Sequence, residues 1–336
     1  MTNQSIFFTS PCVAELLDYK MPQIKEDEVL VRIERTTVSA GTERANLMGD
    51  KNVSWKGGEV SFPRRSGYSS TGTVVECGKA VQHLRVGDRV ACSWTVHAQY
   101  CAVKESRAYV LDRDIGFDEG ALVHIATFPM AAIRKCHLEV GESAIVMGLG
   151  VLGLVAIELL RAAGAYPILA VDPVESKRAE ALELGADYAL DPFAPDFAET
   201  AKALTNGGAH VAIEITGKGQ GLDMVLDCMR MFGRVALLGC TRDANFTIDY
   251  YKKVHGPGIT LVGAHTNARP KQESSSGFWT EADDAHAVLG LLKGKRLDFK
   301  RLIAETYSPE EAPEVYTRLA TQPSFPIVQF DWGRIR

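Results

Sequence analysis

The stretch that decides the fold is Ser143–Leu160, SAIVMGLGVLGLVAIELL. It begins with a short apolar run typical of a buried strand and ends with an apolar segment of helical length. Between them, Gly148, Gly150 and Gly153 form the pattern G-x-G-x-x-G. The pattern predicts a tight turn at Gly148, close approach of a pyrophosphate at Gly150 and close helix–sheet packing at Gly153. Because a helix N-terminus offers free N–H groups and partial positive charge, we predict a dinucleotide site here.

A carboxylate follows where a dinucleotide site needs one. Asp172 lies roughly 20 residues after Gly153, at the end of the next strand-like segment. A carboxylate there accepts hydrogen bonds from the adenosine ribose hydroxyls and repels the 2′-phosphate of NADP. The next residues are Pro173 and Val174, so no arginine follows directly. The sequence therefore predicts NAD(H) rather than NADP(H), and the other interpretation of Asp172 is a turn or helix N-terminal carboxylate.

Further cofactor contacts are predicted on the turn itself, on the helix after Asp172 and at the end of a later strand. Arg178 is expected over the adenine, with a solvated helix arginine as the alternative. The complete predicted set is Gly148, Leu149, Gly150, Val151, Leu152, Gly153, Asp172, Arg178, Gly239 and Cys240.

Strand-like and helix-like segments alternate around the glycine-rich turn, which predicts a parallel sheet covered on both faces. These segments are Ser143–Met147, Val151–Ala163, Ile168–Asp172, Glu175–Leu184, Tyr188–Leu190, Phe197–Thr205, His210–Ile215, Gln220–Met231 and Arg234–Leu238, with Ile259–Gly263 as a sixth strand. The first third is β-rich instead, and Phe325–Phe330 resembles a strand returning to it. We therefore predict an α/β fold in which residues 125–265 form a doubly wound parallel sheet, inserted in a β-rich domain of residues 1–124 and 266–336.

Composition narrows the class of protein. The chain has 336 residues, of which 46% are hydrophobic and 24% charged, as in globular proteins. A net charge of −5 without a basic stripe argues against nucleic acid and membrane as partners. The N-terminus lacks the pattern of a signal peptide, and the seven cysteines are scattered without C-x-x-C spacing. We expect a cytoplasmic protein with reduced cysteines.

At this point the sequence resembles the medium-chain dehydrogenase/reductase superfamily, of the zinc alcohol and polyol dehydrogenase type. The resemblance covers nearly the whole chain and implies a GroES-like catalytic domain, a Rossmann domain, a cleft where nicotinamide meets substrate, and a homodimer. The supporting segments, besides the glycine-rich turn, are EVLVRIERTTVSAGTE (28–43), SGYSSTGTVVECG (66–78), VGDRV (86–90), HAQYCAV (97–103), RVALLGC (234–240) and YSPEEAPEVY (307–316).

The chain departs from the zinc enzymes of this superfamily at the metal ligands. Ala40 stands where they carry a cysteine, and Tyr68 where they carry a histidine. The third ligand position matches His124. Since a catalytic zinc needs three protein ligands, we predict no zinc. The resemblance is then to a zinc-less branch that includes bacteriochlorophyllide dehydrogenase-type oxidoreductases.

Without zinc, side chains must handle the proton of an alcohol or polarise a carbonyl. The predicted catalytic residues are Tyr68, Thr42, Glu43 and His124. By resemblance Thr42 matches a proton-relay hydroxyl, and Glu43 matches an aspartate that lies behind the metal ligands. The alternatives are, respectively, a tyrosine filling the volume of the zinc, a turn or cap threonine, a helix N-terminal carboxylate and a core histidine.

Further residues are candidates for the walls of a substrate pocket. Trp55, Trp94 and Trp279 are candidate pocket walls, with ordinary core or surface positions as the alternative. His97 is a candidate to reach the cleft. The cations considered for an acidic or polyhydroxyl substrate, with solvated surface residues as the alternative, are Arg64, Arg65, Arg269 and Lys271.

The main functional hypothesis is an NAD-dependent, zinc-independent secondary-alcohol dehydrogenase acting on a polyol, sugar or hydroxy acid. A quinone or enone reductase is the alternative among enzymes. A third hypothesis, from a different class, is a catalytically inactive nucleotide-binding regulatory protein.

Overall fold

The computed structural model describes residues 3–54, 56–58 and 60–335; Trp55 lies outside them. The strands are β1 (Asn3–Ser10), β2 (Val13–Tyr19), β3 (Glu28–Thr37), β4 (Arg64–Arg65), β5 (Ser69–Cys77), β6 (Arg89–Ser93), β7 (Tyr100–Lys104), β8 (Ala108–Val110), β9 (Ala144–Met147), β10 (Ile168–Val171), β11 (Tyr188–Leu190), β12 (Ala209–Glu214), β13 (Met229–Leu237), β14 (Thr260–Gly263), β15 (Glu305–Tyr307) and β16 (Val328–Asp331). The α-helices are α1 (Ala40–Met48), α2 (Phe117–Gly120), α3 (Val123–Lys135), α4 (Val151–Ala162), α5 (Glu175–Glu183), α6 (Phe197–Leu204), α7 (Gly219–Asp227), α8 (Glu281–Lys293) and α9 (Ala312–Thr321).

The chain divides into two compact units. Unit 1 comprises residues up to Ile125 and those from Ala285 on, and unit 2 is Ala126–Asp284. The sequence places the second boundary earlier, after residue 265. Residues 266–284 belong to unit 2 because α3 holds this segment. The ammonium of Lys135 donates to the carbonyl of Ala268, and the guanidinium of Arg269 donates to the carbonyl of Thr127 at 3.1 Å.

The sheet of unit 2 has six strands in the order β11-β10-β9-β12-β13-β14, and every neighbouring pair is parallel. This is the doubly wound order 3-2-1-4-5-6, which confirms the predicted α/β fold class and the sixth strand. The order reverses between β9 and β12, where Met147 is in register with Glu214. The carboxyl ends of these two strands mark the crevice where ligands bind in such sheets.

One element of unit 2 differs from its predicted bounds. The sequence predicts a helix over Gln220–Met231, but α7 ends at Asp227 and β13 begins at Met229. Met229 is in register with Ala209 of β12, and the carbonyl of Cys228 accepts the Ala209 N–H at 2.9 Å. Pairing with the neighbouring strand thus prevails over the apolar pattern that would continue the helix.

Unit 1 is β-rich. One sheet runs β15-β16-β3-β5-β6-β8, with β7 paired to the first half of β3, and a second sheet has the order β2-β1-β4. Strand β16 pairs antiparallel with the second half of β3, which confirms that the Phe325–Phe330 segment returns to the first domain. The core likewise joins distant segments: Ile33 and Val90 belong to the same buried cluster as Tyr316 and Phe330.

Among the described helices, none has the length and apolar character needed to cross a membrane.

Candidate active site

The glycine-rich turn of unit 2 has the geometry that its three glycines predict. Gly148 directly follows β9 with φ of +102°, a left-handed conformation that favours glycine. A Cβ on Gly153 would lie 2.0 Å from the carbonyl oxygen of Gly148, so the helix packs against the turn too closely for a side chain. A Cβ on Gly150 would meet nothing within 4 Å. The backbone at Gly150, the N-cap of α4, is therefore open to a ligand such as a pyrophosphate.

Asp172 joins the glycine-rich turn to the end of the neighbouring strand. It directly follows β10, and its Oδ2 accepts the Leu149 N–H at 3.0 Å. Its Oδ1 accepts the Val174 N–H at 2.9 Å. Each carboxylate oxygen has a further lone pair, so Asp172 can also accept ribose hydroxyls. The two N–H groups hold the carboxylate in place beside the turn.

Arg178 stabilises the loop that carries Asp172. Its guanidinium donates to the carbonyls of Asp172 and Pro173 at 2.7 and 2.9 Å, and it forms an ion pair with Asp191 at 3.6 Å. These contacts place Arg178 next to the predicted adenosine site, with its hydrogen bonds directed to the loop.

Sequence reasoning missed the residues that border the turn on its other side. Thr216 lies beside Gly148, with 3.2 Å between its Cγ2 and a Cβ built on the glycine. The buried Glu214 accepts the Thr216 N–H at 2.8 Å, and burial raises the pKa of this carboxyl. Of the residues that the sequence does predict, Gly239 packs against Gly217 and Cys240 is exposed. The local signal for the missed residues is the segment EITG (214–217) at the end of β12, and its meaning depends on β12 lying beside β9.

In unit 1, Tyr68 is directed by its two neighbours in the chain. Gly67 has φ of +93°, and a Cβ there would meet the imidazole of His97 at 2.7 Å. The next residue, Ser69, begins β5. The Tyr68 hydroxyl donates to Oγ of Ser39, which directly precedes α1. The pair Gly-Tyr therefore brings the phenol to the N-terminus of α1.

Three rings meet around Tyr68. The ring of His124, in the first turn of α3, lies edge-on to Tyr68 with 5.6 Å between centroids. Trp94 contacts both, at 4.8 Å from His124 and 6.2 Å from Tyr68. His124 is 2% exposed and Trp94 38% exposed, so the tryptophan forms the outer face of this ring cluster. Trp94 has φ of +61°, and such strain in a non-glycine residue is typical of functional sites.

Glu43 lies at the centre of a fully buried polar cluster. Its Oε2 accepts from the Tyr316 hydroxyl at 2.5 Å and lies 3.1 Å from His97 Nε2, while Oε1 accepts the Ser39 N–H at 2.7 Å. Burial alone would raise the pKa of Glu43, but His97 and these hydrogen bonds hold it below its usual value. Burial and the Glu43 charge raise the pKa of Tyr316, which stays a donor.

The structure thus brings Tyr68 and His124 into contact and joins Glu43 to Tyr68 through Ser39. Thr42 lies half-buried in the first turn of α1, next to Glu43. Sequence reasoning missed Ser39, which by itself resembles a helix cap. It also missed Tyr316, which lies 273 residues from Glu43 along the chain.

Two other residues that the sequence suggests for the substrate pocket, His97 and Arg269, form hydrogen bonds or ion pairs within their own units. His97 is fully buried, with Nδ1 2.7 Å from the hydroxyl of Thr36. In unit 2, Arg269 and Arg134 both pair with the buried Asp284, at 3.6 and 2.9 Å.

Trp279 also has a structural contact within unit 2. The guanidinium of Arg134 lies 3.6 Å from the centroid of its ring.

The positions where related enzymes hold zinc do not offer a zinc donor set. They carry Ala40, the Tyr68 hydroxyl that donates to Ser39, and His124. Across residues 3–54, 56–58 and 60–335, no three His, Cys, Asp or Glu side chains are grouped so that they could hold a metal ion. A tetrahedral zinc site with three protein ligands does not fit these residues.

Two family models and several curated proteins match this chain. Residues 25–137 match the alcohol dehydrogenase GroES-like domain, and residues 151–279 match the zinc-binding dehydrogenase family. L-threonine 3-dehydrogenase of Thermococcus kodakarensis is 29% identical over 76% of this chain and 82% of its own length. D-guloside 3-dehydrogenase of Escherichia coli is 25% identical over 94% of this chain and 95% of its own.

A solved structure shows the same fold. It is a zinc-binding dehydrogenase from Sinorhizobium meliloti bound to NADP, with a TM-score of 0.82 and 20% identity over 98% of this chain and 99% of its own. The chain belongs to the medium-chain dehydrogenase/reductase superfamily. It is an oxidoreductase enzyme of that superfamily, which sets aside the hypothesis of an inactive regulatory protein.

Proposed function

We propose that this enzyme is an NAD(H)-dependent, zinc-independent dehydrogenase that interconverts a secondary alcohol and its ketone. The observation that carries the proposal is the glycine-rich turn with Asp172 bound to it at 3.0 Å. The backbone at Gly150 would hold the pyrophosphate, and Asp172 the adenosine ribose. When bound, the nicotinamide accepts a hydride from an alcohol carbon or returns it to a carbonyl.

Asp172 supports NAD over NADP. Its negative charge disfavours a 2′-phosphate, and the guanidinium nearby, Arg178, is already bound to two carbonyls and Asp191. A phosphate at this place would have to compete for that arginine. The related structure bound to NADP shares only 20% identity with this chain, so the local charge is the better guide.

Tyr68 is the proposed proton donor and acceptor. A phenol hydroxyl at this position can protonate a ketone oxygen during reduction and, as tyrosinate, accept the alcohol proton during oxidation. Zinc independence is part of the proposal, because Ala40, Tyr68 and His124 do not supply three metal ligands. His124 packs against the phenol and orients it. Glu43 orients Tyr68 through Ser39, and Thr42 remains the predicted second hydroxyl of the site.

The names of the related enzymes and the ring cluster support a substrate class. L-threonine and D-guloside 3-dehydrogenases are named for substrates whose 3-hydroxyl is a secondary alcohol. Trp94 offers an exposed aromatic face beside Tyr68. We therefore propose a polyol, sugar or hydroxy acid as the substrate.

A substrate panel with NAD and NADP in parallel tests this function. The expected result is NAD reduction at alkaline pH with a member of an alcohol, polyol and sugar panel. NADPH consumption with quinones or enones, without alcohol turnover, would support the reductase alternative instead. Metal analysis of the purified enzyme provides an independent check, because stoichiometric zinc that is needed for turnover would contradict the proposal.

The homodimer is proposed on the edge of the unit 2 sheet. Strand β14 is outermost, and Thr260, Leu261 and Gly263 are exposed. An exposed edge strand can pair with the same strand of a second copy. Sedimentation velocity should give twice the chain mass of 36.6 kDa. The cytoplasmic location remains a prediction from the sequence.

A further inference from the structure

Ser39 is the N-cap of α1, but its side chain does not cap the helix. A serine at this position normally accepts an N–H of the first helical turn. No such hydrogen bond is formed by its hydroxyl, and the residue is only 4% exposed. The Ser39 Oγ instead accepts the hydroxyl of Tyr68. The hydroxyl therefore serves the phenol and not the helix.

Glu43 forms hydrogen bonds with both backbone polar groups of Ser39, the N–H and the carbonyl. Its Oε1 accepts the Ser39 N–H at 2.7 Å, and its own N–H donates to the Ser39 carbonyl at 2.8 Å. The carboxylate thereby anchors the N–H of the N-cap residue, although it does not accept the first-turn N–H groups that a serine side chain would cap. With its main chain bound on both sides, Ser39 can direct its hydroxyl away from the helix without loosening it.

The carboxylate of Glu43 is itself held by side chains from distant parts of unit 1. Tyr316 of α9 donates to it at 2.5 Å, and His97 Nε2 lies 3.1 Å from it. The other imidazole nitrogen is 2.7 Å from the Thr36 hydroxyl, which also accepts the Trp332 N–H at 3.0 Å. Each of these five side chains is 1% exposed or less. A dry, hydrogen-bonded cluster of this kind holds its members rigidly.

We propose that Ser39 is the positioning residue for Tyr68: it orients the phenol and, by turning its own O–H, stabilises the tyrosinate. This inference rests on the proposed role of Tyr68. During reduction the Tyr68 O–H bond breaks and an O–H bond forms on the substrate oxygen, while the hydride from the cofactor adds to carbon. The tyrosinate left behind accepts a hydrogen bond from Ser39 until it takes a proton from water. Oxidation runs the same steps in reverse.

Ser39 has this effect because a hydroxyl is both donor and acceptor. It accepts from the neutral phenol and donates to the phenolate, and the bond to the charged form is the stronger one. Removal of the hydroxyl should therefore favour the neutral phenol. The titratable groups that the structure describes around Tyr68 within unit 1 include His124 on α3 and, through Ser39, Glu43 on α1 with its partner His97. All three are unchanged in the variants below.

The test is a pH titration of the enzyme labelled with 13Cζ-tyrosine, in which the Tyr68 signal is assigned by its loss in Tyr68→Phe. Ser39→Ala should raise the apparent pKa of Tyr68 by about 0.5 to 1 unit. Ser39→Thr, which keeps the hydroxyl, should restore the original titration. Ser39→Gly is the second hydroxyl-free variant, since glycine is tolerated at an N-cap. An unchanged Tyr68 titration in folded Ser39→Ala and Ser39→Gly would overturn the proposal.

The same variants separate this inference from the proposed function. The spectroscopic titration needs no substrate, so it reports on the Ser39–Tyr68 contact even if no alcohol is oxidised. If the enzyme turns over, the pH profile of kcat/KM should shift with the spectroscopic pKa in Ser39→Ala and return in Ser39→Thr. The Tyr68 pKa could shift in Ser39→Ala while turnover stays unchanged in Tyr68→Phe. That result would support the Ser39–Tyr68 contact and contradict only the catalytic role of Tyr68.

Discussion

The backbone N–H of Leu149 donates to Oδ2 of Asp172 at 3.0 Å, which joins the glycine-rich turn to the end of the adjacent strand. Two functions meet in this one carboxylate. It helps to hold the shape of the turn, and in the proposed binding mode it would present negative charge where NADP carries its extra phosphate. Cofactor affinity and cofactor choice should therefore change together when Asp172 is replaced.

Asp172→Ser should weaken NADH binding about tenfold, because it removes both the ribose acceptor and the anchor of Leu149. The preference for NAD over NADP should fall by at least as much, since the repulsive charge is lost. Fluorescence titration with NADH and NADPH measures both changes. Asp187→Ser is the matched control, because Asp187 accepts the Ile168 N–H at 2.7 Å at the other end of β10. Equal losses in the two variants would contradict a ribose-binding role for Asp172.

Alanine substitutions at two glycines of the turn should have different effects, one on NADH affinity and the other on the stability of the protein. Gly150→Ala should fold with an unchanged melting temperature, since its Cβ meets nothing within 4 Å, but bind NADH about tenfold or more weakly. Gly153→Ala should destabilise the protein by about 1–3 kcal/mol, because its Cβ would collide with the Gly148 carbonyl.

Thermal unfolding and NADH titration distinguish these two glycine variants. Gly290→Ala is the control, an exposed helical glycine with nothing within 4 Å of its Cβ. It should leave NADH binding unchanged and stabilise the protein slightly. NADH affinity at the original level in Gly150→Ala would mean that the pyrophosphate does not approach this backbone.

Tyr68→Phe should lower kcat by about 10²- to 10⁴-fold, the usual effect of losing a proton-transfer group. NADH affinity should stay the same, because the proposed contacts of the pyrophosphate at Gly150 and of the ribose at Asp172 are unchanged. Steady-state kinetics and NADH titration check the two parts. Tyr250→Phe is the control, since Tyr250 is 64% exposed. Similar kcat values for Tyr68→Phe and the original enzyme would remove Tyr68 from the mechanism.

Asp284 should make the stability of the protein depend on pH. Burial raises the pKa of this carboxyl to about 6, despite its pairs with Arg134 and Arg269. Between pH 4 and 6 the folded state thus binds more protons at Asp284 than the unfolded state does. The contribution of Asp284 to the free energy of unfolding must then fall as pH rises, by about 2–3 kcal/mol in all.

The comparison with Asp284→Asn isolates that contribution. The neutral amide resembles the protonated carboxyl, so the variant should have nearly the stability of the original protein at pH 4. Because the amide does not titrate, the variant should not show this loss of stability as pH rises through 6. Urea denaturation at several pH values gives the difference between the two proteins. A difference in unfolding free energy that is constant from pH 4 to 6 would show that Asp284 titrates at its ordinary pKa.

The fold of unit 2 could be predicted because its signals are local. G-x-G-x-x-G, the strands around it and Asp172 all follow from periodicity and spacing over short distances. The end of α7 could not be predicted, since Met229 is drawn into β13 by pairing with β12. The sequence of the helix alone does not show that its last residues will pair with a neighbouring strand.

The candidate site in unit 1 was only partly predictable for the same reason. Tyr68, Glu43 and His124 stand out by motif, but what they contact depends on long-range packing. Ser39 resembles a helix cap in sequence, and only the position of Tyr68 shows that its hydroxyl serves the phenol. Tyr316 belongs to a C-terminal motif whose relation to Glu43 no spacing could reveal.

The bond between Tyr316 and Glu43 also has a consequence for synthesis on the ribosome. Unit 2 is a continuous segment and can fold as soon as it emerges, but β3 lacks β16, and Glu43 lacks Tyr316, until residues 312–331 have been translated. The nascent chain therefore carries an open strand edge and a carboxylate without its phenol partner for most of its translation. Both features favour aggregation or chaperone binding. Ribosomes that stall before residue 312 should release a protein with a folded unit 2 and an incomplete unit 1.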